Sequence, residues 1–175
     1  MKMDDIILVN SKDEQIGTAE KMAAHKKAQL HRAFSIFVFN DQGQLMIQQR
    51  ALDKYHCGGL WTNTTCSHPA PGEKVLEAAH KRLQEEMGFD CDLEDLFTFE
   101  YKVEFDNGLT EHEMDHALIG IYNDDPKPNP QEANDWKWID PDELKRDLEI
   151  NPEKYTYWFK EALDKVVEYY QNNLR

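Results

Sequence analysis

The stretch FSIFVFN, residues 34–40, runs through DQG into QLMIQQR, residues 44–50. Two strand-length apolar runs rich in β-branched and aromatic residues, joined by turn chemistry, predict a β-hairpin. A chain built around such runs must bury them in a sheet, because neither is long enough to fold as a self-contained helix. Further strands are predicted over 95–104 and 115–122, with a short one at WKWID, residues 136–140. Helices are predicted over about 74–87, where PGE supplies a start and Gly88 a stop, over about 141–148 and over about 152–171. Strands and helices mixed in this order predict an α/β or α+β sandwich with a mixed sheet.

The chain has 175 residues, the size of one domain, and no internal repeat. Its strongest break, NDDPKPNPQE at 123–132, carries three prolines and is expected to join elements rather than domains. No apolar run approaches the ~20 residues that cross a bilayer. Three cysteines and no apolar leader argue for a reducing compartment, so the expectation is a cytoplasmic protein. A formal net charge of −14 repels polyanions, which works against nucleic acid or an anionic membrane surface as a partner. A small phosphorylated metabolite would instead need cations gathered in one place.

Several spacings gather chemistry. On a helix from Lys74 to Met87, Leu76, Leu83 and Met87 form an apolar stripe, and Glu73, Glu77, Lys81 and Glu85 a solvated face. Val75, Ala79, Arg82 and Glu86 form a third line at the core boundary, where Arg82 and Glu86 either simply pair or present a cation and a carboxylate to a pocket. In an extended TNTTCSH, Cys66 and His68 share a face. By the same rule Glu111, Glu113 and Asp115 share one face, with His112 and His116 on the other. Carboxylates crowded in an interior need a cation or a proton. His25 and His31 converge only if the chain turns between them. His56, His80, His112 and His116 are expected to be structural or superficial. Arg50 and Lys54 lead into a Gly-Gly loop, a combination suited to phosphate oxygens.

QQRALDKYHCGGLWTNTTCSHP, with an H-x5-H upstream and EHEMDH and YTYWF downstream, resembles the type I isopentenyl-diphosphate isomerases, a branch of the Nudix superfamily. The similarity spans roughly His25 to Trp158. It implies one domain over 1–175: a Nudix-like α/β/α sandwich with its core at about 30–163 and added terminal elements. It also implies interconversion of isopentenyl and dimethylallyl diphosphate through a tertiary carbocation, a reaction that needs an acid, a base and exclusion of water. The residues it implies are Cys66 as catalytic thiol, Glu113 as catalytic carboxylate and Tyr101 as an aid to proton delivery. His25, His31, His68, Glu111 and Glu113 would hold Mn²⁺ or Zn²⁺. Trp158 would face the cation, and Lys21, Arg50, Lys54 and Arg82 would hold the diphosphate with Mg²⁺ on Glu86. A monomer or weak homodimer without nucleic-acid or membrane partners is expected.

One departure from the hydrolases is visible. The hydrolase helix signature R-E-U-x-E-E-x-G-U, with U aliphatic, becomes KRLQEEMGF: Lys81 and Arg82 replace the Arg-Glu pair, while Glu85 and Glu86 remain. Part of the magnesium-binding, water-activating cluster is thereby lost, which sets the chain apart from pyrophosphohydrolases. A Nudix hydrolase of a nucleoside diphosphate derivative stays as the alternative. A zinc-stabilised binding domain using His56, Cys57, Cys66 and His68 is a weaker one, lacking a CxxC knuckle.

Overall fold

The computed structural model of the chain describes residues 4–175. Strand β3 (His31–Phe39), buried everywhere except at the half-buried Arg32, is the hub of a nine-stranded mixed sheet. It pairs in parallel with β8 (Thr110–Ile121) in unbroken register from His31↔Glu113 to Phe39↔Ile121. On its other flank it pairs antiparallel with β6 (Thr65–Ser67) and with the start of β4 (Leu45–Arg50). The expected hairpin is therefore real but short. Asn40 Oδ1 accepts from the Gln42 and Gln44 amides to close the turn, and only Val38↔Met46 and Phe39↔Leu45 pair before the strands diverge. Beyond them β4 is completed by β5 (Trp61–Thr62) and β9 (Ala133–Ile139).

The alternation of side chains along β3 divides the core into two layers. Phe34, Ile36 and Val38 pack with Met46 against Ala79, Leu83 and Met87 of α2 (Val75–Met87). Phe37 and Phe39 pack with Leu45 and Ile47 against Trp158, Phe159, Leu163 and Val166 of α4 (Tyr157–Asn173). Each fully buried Phe or Leu contributes roughly 1.5–3 kcal/mol, so the sheet is clamped between helices on both faces, as the sandwich expectation requires. α3 (Pro141–Ile150), with the Asp140 side chain capping its first amides, follows β9.

Two boundaries differ from expectation. α4 begins at Tyr157 rather than near 152, because Tyr155 is held extended beside Trp61 and the Thr156 amide donates to Trp61 O; a short 3-10 turn fills Pro152–Lys154. On α2, Leu76 is 38% exposed, so the apolar stripe runs through Ala79, Leu83 and Met87 instead. The line expected only at the core boundary is itself buried at Ala79 and Glu86.

The N-terminal segment forms a hairpin of β1 (Asp5–Val9) and β2 (Gln15–Glu20), followed by α1 (Lys21–Lys26). The Glu20 carboxylate caps α1 by accepting from the Met22 and Ala23 amides. The hairpin meets the sheet at one register pair, Leu8↔His31. It is pinned there by Asp13, which accepts from Arg32 Nε at 2.7 Å and lies 2.8 Å from His116 Nε2. β7 (Leu93–Glu104) pairs with the outer side of β8.

Candidate active site

The chain turns between His25 and His31 as the sequence demanded: one ends a short helix and the other opens β3, leaving their ring centroids 4.9 Å apart. Each ring hands its Nδ1 proton to a backbone carbonyl, His25 to Lys21 O at 2.7 Å and His31 to Gln29 O at 2.8 Å. Their Nε2 lone pairs therefore point inward, and both atoms are buried without a hydrogen bond. The β3–β8 register places Glu113 directly beside His31. His68, just past β6, brings its Nε2 to 2.8 Å from Glu113 Oε1, and His31 Nε2 lies 3.3 Å from the same oxygen.

Glu111, Glu113 and Asp115 share the buried face of β8, and His112 and His116 lie on the other face, bonded to Glu100 and to Asp13 and Asp95. Tyr101, opposite Glu113 in β7, places its hydroxyl between the two glutamates, 2.7 Å from Glu113 Oε2 and 3.0 Å from Glu111 Oε2. Burial alone would push Glu113 up, but His68 and His31 beside it hold it well below the usual carboxylate range. Burial and the neighbouring Glu113 charge push Glu111 up to about 8. Burial lowers His68 to about 3; it would lower His31 as well, but the Glu113 carboxylate 3.3 Å away raises it. Glu113 is thus ionised and His68 neutral. Donor atoms of His25, His31, His68 and Glu113 all lie within 4.8 Å of one another. Orphaned imidazole nitrogens facing crowded carboxylates suit a divalent cation that accepts mixed nitrogen and oxygen ligands.

In front of this cluster lies an open cavity. Cys66 and Glu113 both line it, reaching it from the two strands that flank β3. Burial pushes the Cys66 thiol up to about 12, although the Arg50 guanidinium, 3.6 Å away, favours the thiolate. Trp158 forms part of the wall, its ring 6.4 Å from Tyr101 and its indole N–H donated to Asn63 Oδ1.

Cations gather around the same cavity. Lys21, Arg50, Lys54 and Arg82 all line the cavity with Glu86. The loop that brings Lys54 there is tight, since a Cβ on Gly58 would sit 2.5 Å from Leu52 O. Arg82 pairs with Glu86 at 2.7 Å, so both readings of that i, i+4 pair hold: the partners bond and both face the cavity. Burial raises the Glu86 carboxyl despite Arg82. Glu132, in the proline-rich loop, contacts Lys54 and lies 3.3 Å from Arg82.

Residues 29–159 match the NUDIX domain family. Isopentenyl-diphosphate Delta-isomerase 2 of Aromatoleum aromaticum is 51% identical to this chain, over 94% of it and 87% of the relative. Isopentenyl-diphosphate Delta-isomerase of Pectobacterium atrosepticum is 45% identical over 98% of this chain and 96% of its own length. The chain belongs to the isopentenyl-diphosphate Delta-isomerase family. Among solved structures, that of DR0079 from Deinococcus radiodurans superposes with a TM-score of 0.75 over 98% of this chain and 99% of its own. At 20% identity it shows the shared fold.

The structure gathers the residues expected of the site around one cavity, and two further residues stand among them. His56, expected to be structural or superficial, is buried in the cavity wall with Nε2 2.5 Å from Glu111 Oε1. It sits in a loop without periodicity, so spacing could not place it. Glu132 went unnoticed for a similar reason, and its only signal was the need of Lys54 and Arg82 for a counter-ion. Among the described residues, no cluster of metal donors contains a cysteine, which leaves the four-ligand zinc arrangement with Cys57 and Cys66 unformed.

Proposed function

We propose that this protein interconverts isopentenyl diphosphate and dimethylallyl diphosphate, moving one proton onto and another off an allylic unit. The observation that carries the reading is a thiol, Cys66, and a carboxylate, Glu113, on the wall of one cavity, reaching it from the two strands that flank β3. A thiol and a carboxylate begin as one donor and one acceptor, so a proton can enter the substrate at one carbon and leave from another without net charge change. Their roles exchange when the reaction runs backwards. The Tyr101 hydroxyl, bonded to Glu113, holds that carboxylate in one orientation and passes a proton to or from it. Trp158 offers a π face to the tertiary carbocation without a nucleophilic atom. Its burial and that of Tyr101 keep water from capturing the cation.

His25, His31, His68, Glu111 and Glu113 would hold a divalent cation, Mn²⁺ or Zn²⁺, whose charge neutralises the crowded carboxylates and makes groups attached to Glu113 more acidic. Glu86 would hold Mg²⁺ with the diphosphate oxygens. Lys21, Arg50, Lys54 and Arg82 orient that diphosphate, which fixes the alkene between Cys66 and Glu113. The substrate is small and anionic, and the −14 charge supports a role apart from nucleic acids and anionic membranes. We further infer a cytoplasmic enzyme acting as a monomer or weak homodimer, in which residues 1–175 form one domain.

The test is incubation of metal-loaded protein with isopentenyl diphosphate and Mg²⁺ in D₂O, followed by NMR. A dimethylallyl signal carrying deuterium is expected. No such signal from metal-loaded protein sinks the reading, and undiminished turnover by Cys66→Ala sinks the role given to the thiol.

A further inference from the structure

The WTNTTCSHP motif gives Cys66 and His68 to the site, yet its middle, Thr62, Asn63, Thr64 and Thr65, is completely buried and has so far been given no part in the reaction. Asn63 is its hub. Its Nδ2 donates to Ile36 O at 3.2 Å and to Thr65 O at 2.8 Å, which ties it to β3 and to the residue before Cys66. Two carbonyls on that side demand the donor end of the amide, so Oδ1 must face the other way. There it accepts from the Thr62 hydroxyl at 2.8 Å and from the Trp158 indole N–H at 3.2 Å. Thr62 has one hydroxyl proton and gives it to Asn63, so the Thr156 hydroxyl, 2.8 Å away, donates to Thr62. Thr156 stands at the N-cap of α4, where such a hydroxyl usually accepts from the first helix amides. Here it is turned to Thr62 instead.

A buried indole N–H needs an acceptor, but this bond settles more than that need. A half-turn about the bond that joins an indole to its Cβ keeps the ring plane and exchanges its two edges. Aromatic neighbours set the plane of Trp158: Tyr101 lies 6.4 Å away at 27°, and His56 meets it at 6.0 Å and 73°. Only one of the two edges carries a donor for Asn63. In the orientation so chosen, the Arg50 guanidinium lies 5.4 Å from the ring centroid, on the cavity that both residues line.

Resting on the role given above to Trp158, we propose that Asn63 is a positioning residue for the isomerisation. Thr156, Thr62 and Asn63 form one hydrogen-bonded chain that fixes which edge of the Trp158 indole turns to the cavity, and with it the part of the π face that meets the carbocation. The same amide holds Thr65 O, so one buried side chain aligns the indole with the strand that carries Cys66. A phenylalanine ring is symmetric about its bond to Cβ and needs no such anchor.

The experiment follows turnover of isopentenyl diphosphate by full-length, metal-loaded protein in four forms: native, Asn63→Ala, Trp158→Phe, and both changes together. Asn63→Ala should lower kcat by about tenfold with KM changed less than about twofold, and should lower kcat by less than about threefold when Trp158→Phe is already present. Equal losses in the two backgrounds overturn the proposal, as does an unchanged kcat in Asn63→Ala. A second arm leaves Asn63 untouched, and so decides the matter even where Asn63→Ala does not fold. It places the benzothiophene analogue of tryptophan at position 158 alone, which keeps the fused rings and has no N–H. A weaker π face by itself would order the rates native, analogue, Trp158→Phe, because a fused ring binds a cation better than a single benzene ring. Loss of the anchor puts the analogue below Trp158→Phe, and an analogue at or above Trp158→Phe overturns the proposal. Native metal-loaded protein that turns over no isopentenyl diphosphate sinks the isomerase reading and the anchor with it, whereas active native protein with equal losses sinks the anchor alone.

Discussion

Glu132 stands between Lys54 and Arg82 as an internal counter-ion, in contact with two of the cations assigned to the diphosphate. A diphosphate held by those cations would compete with it. Glu132→Gln removes the competing charge from a partly exposed pair, a change of about 1 kcal/mol, so KM for isopentenyl diphosphate should fall by about fivefold with kcat little altered. Initial-rate kinetics check this, and a raised KM would mean that Glu132 helps to hold the substrate. Trp158 makes a contrasting prediction. Trp158→Leu loses the π face and should lower kcat by about tenfold or more, whereas Trp158→Phe should keep most of it; equal losses in both would point to packing alone. Residues such as Cys66, His68 and Glu113 were legible because strand alternation and a distinctive motif mark them. His56 and Glu132 were not, because a residue in an aperiodic loop is placed by tertiary contacts that no local spacing encodes.

Gly88 ends α2 with φ near 74°, and a Cβ there would lie 2.5 Å from Lys127 O. The helix end and the proline-rich loop are thereby pressed together, with the Lys127 and Asn129 amides donating to Met87 O and Glu86 O. Gly88→Ala should destabilise the protein by about 2 kcal/mol, lowering Tm by roughly 4–8 °C. Because the loop carries Glu132, it should also change KM. Calorimetry with kinetics checks both, and an unchanged Tm would mean that the loop yields freely. At this scale the sequence spoke clearly for α2 and β3, whose apolar runs and stop signals are strong. It spoke poorly for β8, which starts at Thr110 rather than 115: its first residues are charged, and they are buried only because the site needs them. The late start of α4 depends on Trp61, far away in the sequence, and no local signal could reveal it.

Across the whole molecule the site is shared between the sheet and an N-terminal arm that carries Lys21 and His25. The arm is pinned by Asp13 to Arg32 and His116. Burial would lower His116, but its bonds to Asp95 and Asp13 outweigh this and raise it above its usual 6.5. A raised value in the folded state means that the pin stabilises fully below about pH 6.5 and weakens as pH rises through the folded value. The stability difference between native protein and His116→Gln, followed by urea unfolding, should therefore shrink from roughly pH 6 to pH 8; a difference that grows with pH would refute the pin. Removing the buried cation should likewise speed amide exchange over 5–26 without affecting β3, because His25 then loses its tie to the sheet.

The parallel pairing of β3 with β8 has one more consequence, for the order in which the molecule is made. His25 and His31 leave the ribosome early, yet Glu111 and Glu113 follow only after the hairpin, α2 and β7. Until β8 arrives, β3 has no neighbour along most of one edge and the histidines have no carboxylates to face. The group of donors formed by His25, His31, His68 and Glu113 is thus complete only after well over half of the chain has been translated.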